Sequence, residues 1–412
     1  MTDVVVTGYG ASTPLGGDAA STWDALLAGK SGVGLTRGEW TEKQDLPVKI
    51  SAQLAVDPTD VLPRVQARRM DRVEQVAVVT AREAWAHSGL AVGEGEEPKV
   101  DPTRLAVVIG SGVGGAVTLL DQDDLLETAG LRKVSPLTVP MLMLNGPAAL
   151  VSLEIGAQGG VYAPCSACAS GAEALASAYR MLKAGEVDVV VAGGAEACIT
   201  GITVAGFVQA RTLSQRNDSP EEASRPFDTG RDGFVLGEGA GVMVLERREF
   251  AEARGATIHG TLAGIGITSD AYHITGPDPE GKGQARAMLN AVRTAGLEPS
   301  DVGHVNCHAT STVVGDVGEA RAVQKALGDH PVLTAPKGAL GHLVGGAGAV
   351  EGLISLLSVR DGIIPATLNL KDKDPAVELD VVAGEPRKME LTAAVNNSFG
   401  FGGHNASLLF TK

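Results

Sequence analysis

Two cysteines lie directly before a segment with the composition of a helix. Cys165 and Cys168 belong to Ala-Pro-Cys-Ser-Ala-Cys-Ala-Ser-Gly at residues 163–171, and residues 172–183 are rich in Ala, Leu and Met, with Gly185 as a stop. A cysteine at a helix start faces unpaired backbone N–H groups and the positive end of the helix dipole, which favour the nucleophilic thiolate. The sequence therefore predicts that Cys168 is a nucleophile.

Two other interpretations of this cysteine pair stay open at this stage. Free cysteine is often a small buried apolar residue, and a Cys-x-x-Cys pair is also typical of redox or metal sites. The two remaining cysteines, Cys198 and Cys307, are not a second close pair, so a four-thiolate zinc site would need them to converge from afar. We therefore expect no metal site, whereas spacing alone does not exclude a redox pair.

His308 is a second candidate for chemistry because it lies just beyond the strand-like residues 304–306. Side chains at strand ends project into the crevice of an α/β sheet. Asp316 and Glu319 follow, one turn apart on a predicted helix. They are candidates to orient a histidine, to pair with a lysine, or only to interact with the helix N-terminus.

A glycine-rich segment at residues 337–351 contains one lysine, one histidine and one glutamate, namely Lys337, His342 and Glu351. Such a density of glycine lets the backbone approach a ligand closely. A lone histidine in this setting would be weak evidence for a site. The three ionisable side chains together favour a functional segment.

Two further glycine-rich segments each allow two interpretations. Residues 110–115 match the GxGxxG pattern of dinucleotide sites. The acidic residue expected about 20 positions later should end a second strand, but residues 128–135 contain no strand-like apolar run. We therefore predict a tight turn with closely packed backbone. Residues 398–404 place two phenylalanines among three glycines, which indicates either a turn with core aromatics or a mobile aromatic gate.

These segments must be positioned by strands and helices that alternate along the chain. Apolar runs predict buried parallel strands at 4–7, 105–109 and 187–192, and helices are predicted at 21–28, 72–87 and 169–184. The pattern recurs with strand-like residues at 257–266, 304–306, 332–335, 393–396 and 407–410, and helices at 283–295, 315–326 and 347–360. This alternation predicts an α/β fold with two halves of comparable make-up, joined near residues 247–256.

The composition excludes several classes of protein. Hydrophobic residues make up 44% of the 412 residues and aromatic residues 3%, with 54 glycines, so we expect a core of Ala, Val and Leu with many tight turns. A net charge of −15 argues against general nucleic-acid binding. Four cysteines are no disulfide framework, which predicts a cytoplasmic location. We expect neither a signal peptide nor a membrane span.

Together these motifs resemble the β-ketoacyl-acyl-carrier-protein synthases, in the elongating group that uses Cys-His-His, with an actinobacterial synthase II pattern. The resemblance covers nearly the whole chain. Its specific motifs are residues 166–171, 224–228 and 231–238 and the segments around His308 and His342. It implies a thiolase fold, in which two similar α/β halves form a five-layer αβαβα arrangement. Residues 1–250 would carry the nucleophilic cysteine and residues 251–412 the two histidines.

The resemblance also implies a reaction, the decarboxylative Claisen condensation of fatty acid elongation. Cys168 would carry the acyl chain, while His308 and His342 act on the malonyl thioester. Lys337, with Glu351, would organise the histidines. The remaining implied roles are an oxyanion hole at the backbone N–H groups of Cys168 and Phe401, a gate at Phe401, phosphopantetheine binding at Thr310 and Thr312, and an acyl pocket at Val113, Phe207 and residues 141–145. No metal or redox cofactor is implied.

The implied partner is an acidic acyl carrier protein, which needs a basic patch on this acidic chain. Candidate patches are Arg64, Arg68, Arg69 and Arg72, and Arg132 with Lys133, although such charges are often only solvated. We place docking at Arg68 and Arg69. A homodimer is expected. The alternative is a ketosynthase subunit of a type II polyketide synthase, paired with a chain-length factor.

Two positions depart from the pattern of this family. Ala309 stands where a glycine usually follows the catalytic histidine, and Cys307 replaces a common alanine before it. We expect the small methyl group of Ala309 to be tolerated and Cys307 to be a bystander.

Overall fold

The computed structural model of the chain describes residues 2–38, 40–93 and 95–412. The strands in these residues are β1 (Val4–Ser12), β2 (Gly34–Leu35), β3 (Ile50–Ser51), β4 (Leu105–Gly110), β5 (Val161–Tyr162), β6 (Val189–Glu196), β7 (Gly239–Arg247), β8 (Gly260–Ser269), β9 (Val302–Asn306), β10 (Val332–Thr334), β11 (Ile363–Ile364), β12 (Arg387–Lys388), β13 (Ala393–Gly400) and β14 (His404–Thr411). The helices are α1 (Ala19–Leu27), α2 (Trp40–Lys43), α3 (Pro58–Val61), α4 (Arg64–Ala67), α5 (Arg72–His87), α6 (Ala116–Ala129), α7 (Thr138–Leu142), α8 (Gly146–Ile155), α9 (Ser170–Ala184), α10 (Gly201–Gln209), α11 (Arg248–Ala253), α12 (Lys282–Ala295), α13 (Val313–Leu327), α14 (Lys337–Leu340) and α15 (Ala347–Asp361).

The main strands show the same arrangement twice. Their hydrogen-bonded order is β10-β9-β13-β14-β8-β1-β7-β6-β4-β5, which reads alike from its two ends. In one half β4 is parallel to β5 and β6, and β7 is antiparallel to β6 and β1. In the other half β9 is parallel to β10 and β13, and β14 is antiparallel to β13 and β8. The two halves meet where β1 pairs with β8.

Helices cover both faces of these strands and form the layers of the fold. The central layer consists of α9 and α15, which contact each other and strands of both halves. On the outside, α5 covers β1 and β7, whereas α12 covers β8 and β14. Because α15 is enclosed by protein, it is buried along residues 347–359 and apolar on nearly all sides. The α/β fold with two similar halves is thus confirmed.

The prediction of a parallel strand at residues 4–7 is wrong in direction. β1 runs antiparallel to both of its neighbours, β7 and β8. The other two strands of that group, β4 and β6, do pair in parallel. Val4, Val5 and Val6 are apolar because β1 is covered on both faces, and burial alone does not encode strand direction.

The predicted join between the halves falls in α11, which links β7 to β8. The predicted helix at residues 72–87 coincides with α5, where Asp71 and Glu74 form a capping box at the N-terminus. Within the described ranges, no helix is both long and apolar enough to cross a membrane.

Candidate active site

Cys168 lies in a single 3-10 turn, Ala167–Ala169, that leads directly into α9. Ala167 has a φ of +50°, in the left-handed region that is uncommon for alanine. This sharp turn places the thiol in a cavity of about 520 Å³. The Sγ atom lies 3.0 Å from Nε2 of His342, and the backbone N–H groups of Cys168 and Phe401 both interact with it. The two predicted oxyanion-hole donors therefore both face the sulfur of Cys168.

The environment of the thiol corrects one expectation. Burial raises the pKa of Cys168 to about 12, and it outweighs the opposing effect of Lys337 and of the two backbone N–H groups, while Glu196 raises the pKa further. The helix start alone does not make Cys168 a resting thiolate. Deprotonation needs a neighbouring base, and Nε2 of His342 is in reach.

His308 and His342 lie side by side in this cavity, with ring centroids 5.3 Å apart and planes nearly perpendicular. Burial, and secondarily the charge of Lys337, lowers the pKa of both imidazoles well below its usual value. Phe234 packs edge-on against His342, and Phe399 against His308. Both rings are therefore held neutral, and each can donate from one nitrogen and accept at the other.

Lys337 and Glu351 form a buried ion pair behind the histidines. Lys337 begins α14, Glu351 lies in α15, and Nζ is 2.6 Å from Oε1, with both side chains no more than 2% exposed. Burial raises the pKa of Glu351 to about 7, although Lys337 acts in the opposite direction. The pair places a positive charge near the thiol and both imidazoles.

Asp316 and Glu319 hold the backbone of the His308 segment. Glu319 accepts hydrogen bonds from the backbone N–H groups of His308 (2.8 Å) and Ala309 (2.7 Å). Asp316 accepts from the backbone N–H groups of Phe227, Ser311 and Thr312. Of the roles that the sequence left open for Asp316 and Glu319, the structure shows the orientation of a histidine, because these carboxylates bind the main chain of the His308 segment.

The two departures from the family pattern fit this arrangement. Ala309 is buried and its N–H is bound by Glu319, so the methyl group leaves that anchor in place. Cys307 is buried, and burial raises the pKa of its thiol well above the usual value.

The remaining predicted cavity residues also meet around Cys168: Val113, Phe207, Thr310, Thr312 and Phe401. The hydroxyl oxygens of Thr310 and Thr312 are 3.2 Å apart, and Phe401 is 36% exposed. Residues 141–145 do not line the cavity in this chain. They lie in and after α7, and Met141 and Leu142 pack against Gly115 behind the turn that carries Val113.

The basic patches are only partly free to meet a partner. Arg68 and Arg69 are exposed, as are Arg132 and Lys133. Arg72 must be removed from the first patch, because its guanidinium lies 2.7 Å from Glu238 and 2.9 Å from Asp57. An arginine held by two carboxylates in this way is not available for docking.

The cysteine pair shows no bond between its members. Cys165 is exposed, its Sγ lies 3.7 Å from the carbonyl oxygen of Gly112, and all four cysteines are free. In the part of the chain that the structure describes, no group of three or more His, Cys, Asp or Glu side chains is arranged to hold a metal ion.

Glu196 is a residue of the site that the sequence analysis missed. It is fully buried at the end of β6, and its carboxylate binds the turn at residues 110–115 through Ser111, Gly112 and Val113. The expected tight turn is confirmed, closed by a carboxylate from within the chain. The available signal was an acidic residue at the carboxyl end of an apolar strand, where α/β folds place their functional groups.

Comparison with known proteins agrees with this geometry. Residues 1–251 match the family described as beta-ketoacyl synthase, N-terminal domain, and residues 259–371 match its C-terminal domain. A 3-oxoacyl-[acyl-carrier-protein] synthase 2 from Mycobacterium tuberculosis is 46% identical over 411 residues, which cover 99% of this chain and 97% of the relative.

Two solved structures are similar over the whole chain. A crystal structure of a beta-ketoacyl synthase from Burkholderia phymatum is 36% identical, with a TM-score of 0.92 and complete coverage of both chains. The structure AntDE:AntF, a type II PKS acyl-carrier protein in complex with its ketosynthase bound to the hexaketide, is 26% identical with a TM-score of 0.90, over 100% of this chain and 99% of that one.

Proposed function

This chain belongs to the β-ketoacyl synthase family, and we propose that it extends acyl chains on acyl carrier protein by decarboxylative condensation with a malonyl unit, as in fatty acid elongation. One observation carries the proposal. The Sγ atom of Cys168 lies 3.0 Å from Nε2 of His342, and His308 lies beside that ring in the same cavity.

The first half of the reaction transfers the acyl chain to Cys168. His342 Nε2 accepts the thiol proton, and the sulfur attacks the carbonyl carbon of the carrier thioester. The oxyanion accepts hydrogen bonds from the backbone N–H groups of Cys168 and Phe401. The bond to the carrier sulfur breaks, and this sulfur takes the proton back from His342. The products are an acyl-Cys168 thioester and free carrier thiol.

The second half forms the carbon–carbon bond. The carbonyl oxygen of a malonyl thioester accepts hydrogen bonds from the neutral rings of His308 and His342. Loss of carbon dioxide leaves the bond's electron pair in an enolate, whose carbon attacks the Cys168 thioester. The Cys168 carbon–sulfur bond breaks, so that the 3-oxoacyl chain remains on the carrier and the thiolate takes up a proton from solvent. Carbon dioxide loss supplies the nucleophile, and the proposal includes no metal or redox cofactor.

The other residues of the site position these groups. Burial, and secondarily the charge of Lys337, keeps both imidazoles neutral, and the same charge partly offsets the effect of burial on the pKa of the thiol. Glu319 fixes the main chain of His308. Thr310 and Thr312, just before α13, provide hydroxyl groups for the phosphopantetheine arm, and Phe401 gates the cavity.

We propose that the acyl carrier protein docks on Arg68 and Arg69, with Arg132 and Lys133 as a second contact. The carrier is acidic in this family, and exposed cations steer an acidic partner. Within the described residues these four side chains have no ion pair with a carboxylate. The proposal places this reaction in the cytoplasm.

A homodimer is part of the proposal because large apolar side chains are exposed on a series of adjoining elements. α6 exposes Leu119, Leu125 and Leu126, and the edge strand β5 exposes Val161 and Tyr162. Contacts of α6 with α7, of α7 with α8 and of α8 with β5 join these segments. Large exposed apolar patches mark interfaces, and an edge strand offers unpaired backbone groups to a partner.

A reconstituted elongation assay tests the function. Purified protein receives malonyl-carrier protein and acyl-carrier proteins of graded length, saturated and polyunsaturated, and intact-protein mass spectrometry identifies the products. Extension of saturated chains by this chain alone, as a homodimer, is the expected result. Acylation of Cys168 without extension, or turnover of unsaturated chains only, would instead favour the polyketide ketosynthase with a chain-length factor.

A further inference from the structure

Glu196 is a buried carboxylate that the proposed reaction does not use. Its Oε2 atom accepts hydrogen bonds from the backbone N–H groups of Gly112 (2.8 Å) and Gly345 (3.2 Å). Its Oε1 atom accepts from the hydroxyl of Ser111 (3.0 Å) and the N–H of Val113 (3.3 Å). One side chain thus binds two segments that are far apart in the sequence.

Both segments are walls of the cavity beside Cys168. The turn that follows β4 contributes Gly112 and Val113, and the turn Val344–Gly346, which follows His342, contributes Val344. The two turns touch at the carboxylate. A Cβ atom at Gly345 would lie 2.8 Å from Oε2 of Glu196 and 2.5 Å from the nitrogen of Gly112. The close approach of the two turns therefore requires glycine at position 345.

The partners of Glu196 are dipoles, with no cation among the described side chains in contact with it. Burial raises its pKa to about 7, while the hydrogen bonds act in the opposite direction. Glu196 acts on the thiols of Cys168 and Cys198; Glu238 also acts on Cys198, and Lys337 acts on Cys168 in the opposite sense. Its negative charge raises the pKa of the Cys168 thiol.

We propose that Glu196 is a positioning residue that holds the acyl-chain wall at Val113 against the turn that follows His342. The acyl-chain part of this inference rests on the proposed function. The carboxylate fixes how far the two walls stand apart, because each of its oxygen atoms binds the Val113 turn and one of them also binds the His342 side. Acyl chains that reach Val113 therefore bind in a channel of fixed width.

The test is Glu196→Gln, which keeps the shape but replaces one acceptor oxygen by an amide nitrogen. We expect the amide oxygen to stay with Gly112 and Gly345, so that the N–H of Val113 loses its acceptor. For acyl-carrier proteins long enough to reach Val113, the KM should rise about fivefold or more, with kcat within about twofold and short chains unaffected. Because a negative charge is removed, the pH profile of Cys168 alkylation by iodoacetamide should also move down by about half a pH unit or more.

The matched control is Glu83→Gln. Glu83 is a partly buried glutamate whose carboxylate, like that of Glu196, accepts hydrogen bonds from backbone N–H groups, here those of Ala11 and Ala19, and it does not line the cavity. The variant Glu83→Gln should have the same alkylation profile and the same chain-length dependence as the wild type. For Glu196→Gln, both the higher KM for long acyl chains and the lower pH profile of alkylation are required. The absence of either result overturns the proposal.

Two results would require a different conclusion or a different variant. If the wild-type protein extends no acyl chain, the proposed function fails and the acyl-chain part of this inference fails with it, whereas the alkylation profile still tests whether the charge of Glu196 acts on Cys168. If Glu196→Gln does not fold, Ser111→Ala replaces it, since this change keeps the charge but removes the hydrogen bond that the hydroxyl donates to the carboxylate, together with the one that it accepts from the N–H of Gly114. The KM for long chains should then rise about twofold or more, and an unchanged KM overturns the proposal.

Discussion

The Nε2 atom of His342 lies 3.0 Å from the Sγ atom of Cys168, across 174 positions of sequence. Burial raises the pKa of the thiol to about 12 and lowers that of the imidazole well below its usual value. The resting pair is therefore a neutral thiol beside a neutral imidazole, not a thiolate beside an imidazolium. Acylation begins with a proton transfer between these two atoms.

Replacement of the two neighbouring cysteines should separate the nucleophile from a redox pair. Cys168→Ala removes the acyl acceptor, so we expect no condensation, while decarboxylation of malonyl-carrier protein by His308 and His342 continues. Cys165→Ala should keep condensation within about twofold of the wild type, as for other exposed side chains outside the reaction. Product and carbon dioxide release are measured in parallel, and an essential Cys165 would contradict the proposed mechanism.

The buried pair of Lys337 and Glu351 predicts a pattern in stability. Lys337→Met leaves an unpaired buried carboxylate and should lower the free energy of unfolding by about 3–5 kcal/mol. The double variant Lys337→Met/Glu351→Leu should recover most of this loss but not the acylation rate, because the charge that lowers the thiol pKa is gone. Urea unfolding and acylation of Cys168 are the measurements. A double variant no more stable than Lys337→Met would contradict the prediction.

His304 predicts a pH dependence of stability. It is fully buried in β9 with both ring nitrogens unpartnered among the described residues, and burial lowers its pKa to about 3. Since the unfolded state binds the proton more tightly, with a pKa of about 6.5, the folded state loses stability as pH falls below this value. Between pH 7 and pH 5 the loss is about 2 kcal/mol, at 1.36 kcal/mol per pH unit below the unfolded pKa.

The variant His304→Leu tests this. Between pH 7 and pH 5 its free energy of unfolding should fall less than that of the wild type, and the difference should be about 2 kcal/mol. Comparison of the two proteins cancels the titration of all other groups. The exposed His330 supplies the control, since His330→Leu should follow the wild type. Parallel curves for His304→Leu and the wild type would show that His304 is not the group responsible.

The carrier-docking surface predicts an effect on binding without one on chemistry. Arg68→Glu/Arg69→Glu should raise the KM for carrier protein roughly tenfold at low salt with kcat little changed, because docking charges act on encounter. The difference from the wild type should shrink as salt screens the charges. Arg321→Glu/Lys325→Glu, an equal charge change on the second half of α13, is the control. An unchanged KM at low salt would place docking elsewhere.

Much of the site was predictable from local sequence. A cysteine before an Ala-rich helix indicated the start of α9, and the predicted helix at residues 72–87 coincides with α5. His308 was found because it lies just beyond a short strand. In each case the signal lies within a few residues of the feature, so no knowledge of the rest of the chain was needed.

Other features were missed because their partners lie far away in the sequence. Arg72 looked like a member of a basic patch, yet Glu238 and Asp57 hold it. Glu196 gave no motif, since its partners are backbone N–H groups of two turns that only folding brings together. The predicted direction of β1 was also wrong, because its apolar residues indicate that the strand is buried and do not indicate whether its neighbours run parallel or antiparallel to it.

The sequence by itself determined the two-fold alternation of strands and helices, the family resemblance and the identity of the groups around the thiol, because composition, periodicity and motif spacing are properties of short segments. Tertiary structure alone decided the protonation of Cys168, the contact of its sulfur with His342, and the anchoring roles of Glu319 and Glu196. A pKa depends on burial and on charges within a few ångströms, and a carboxylate that binds main-chain N–H groups has partners of any residue type. Such relationships exist only once the fold has brought distant segments together.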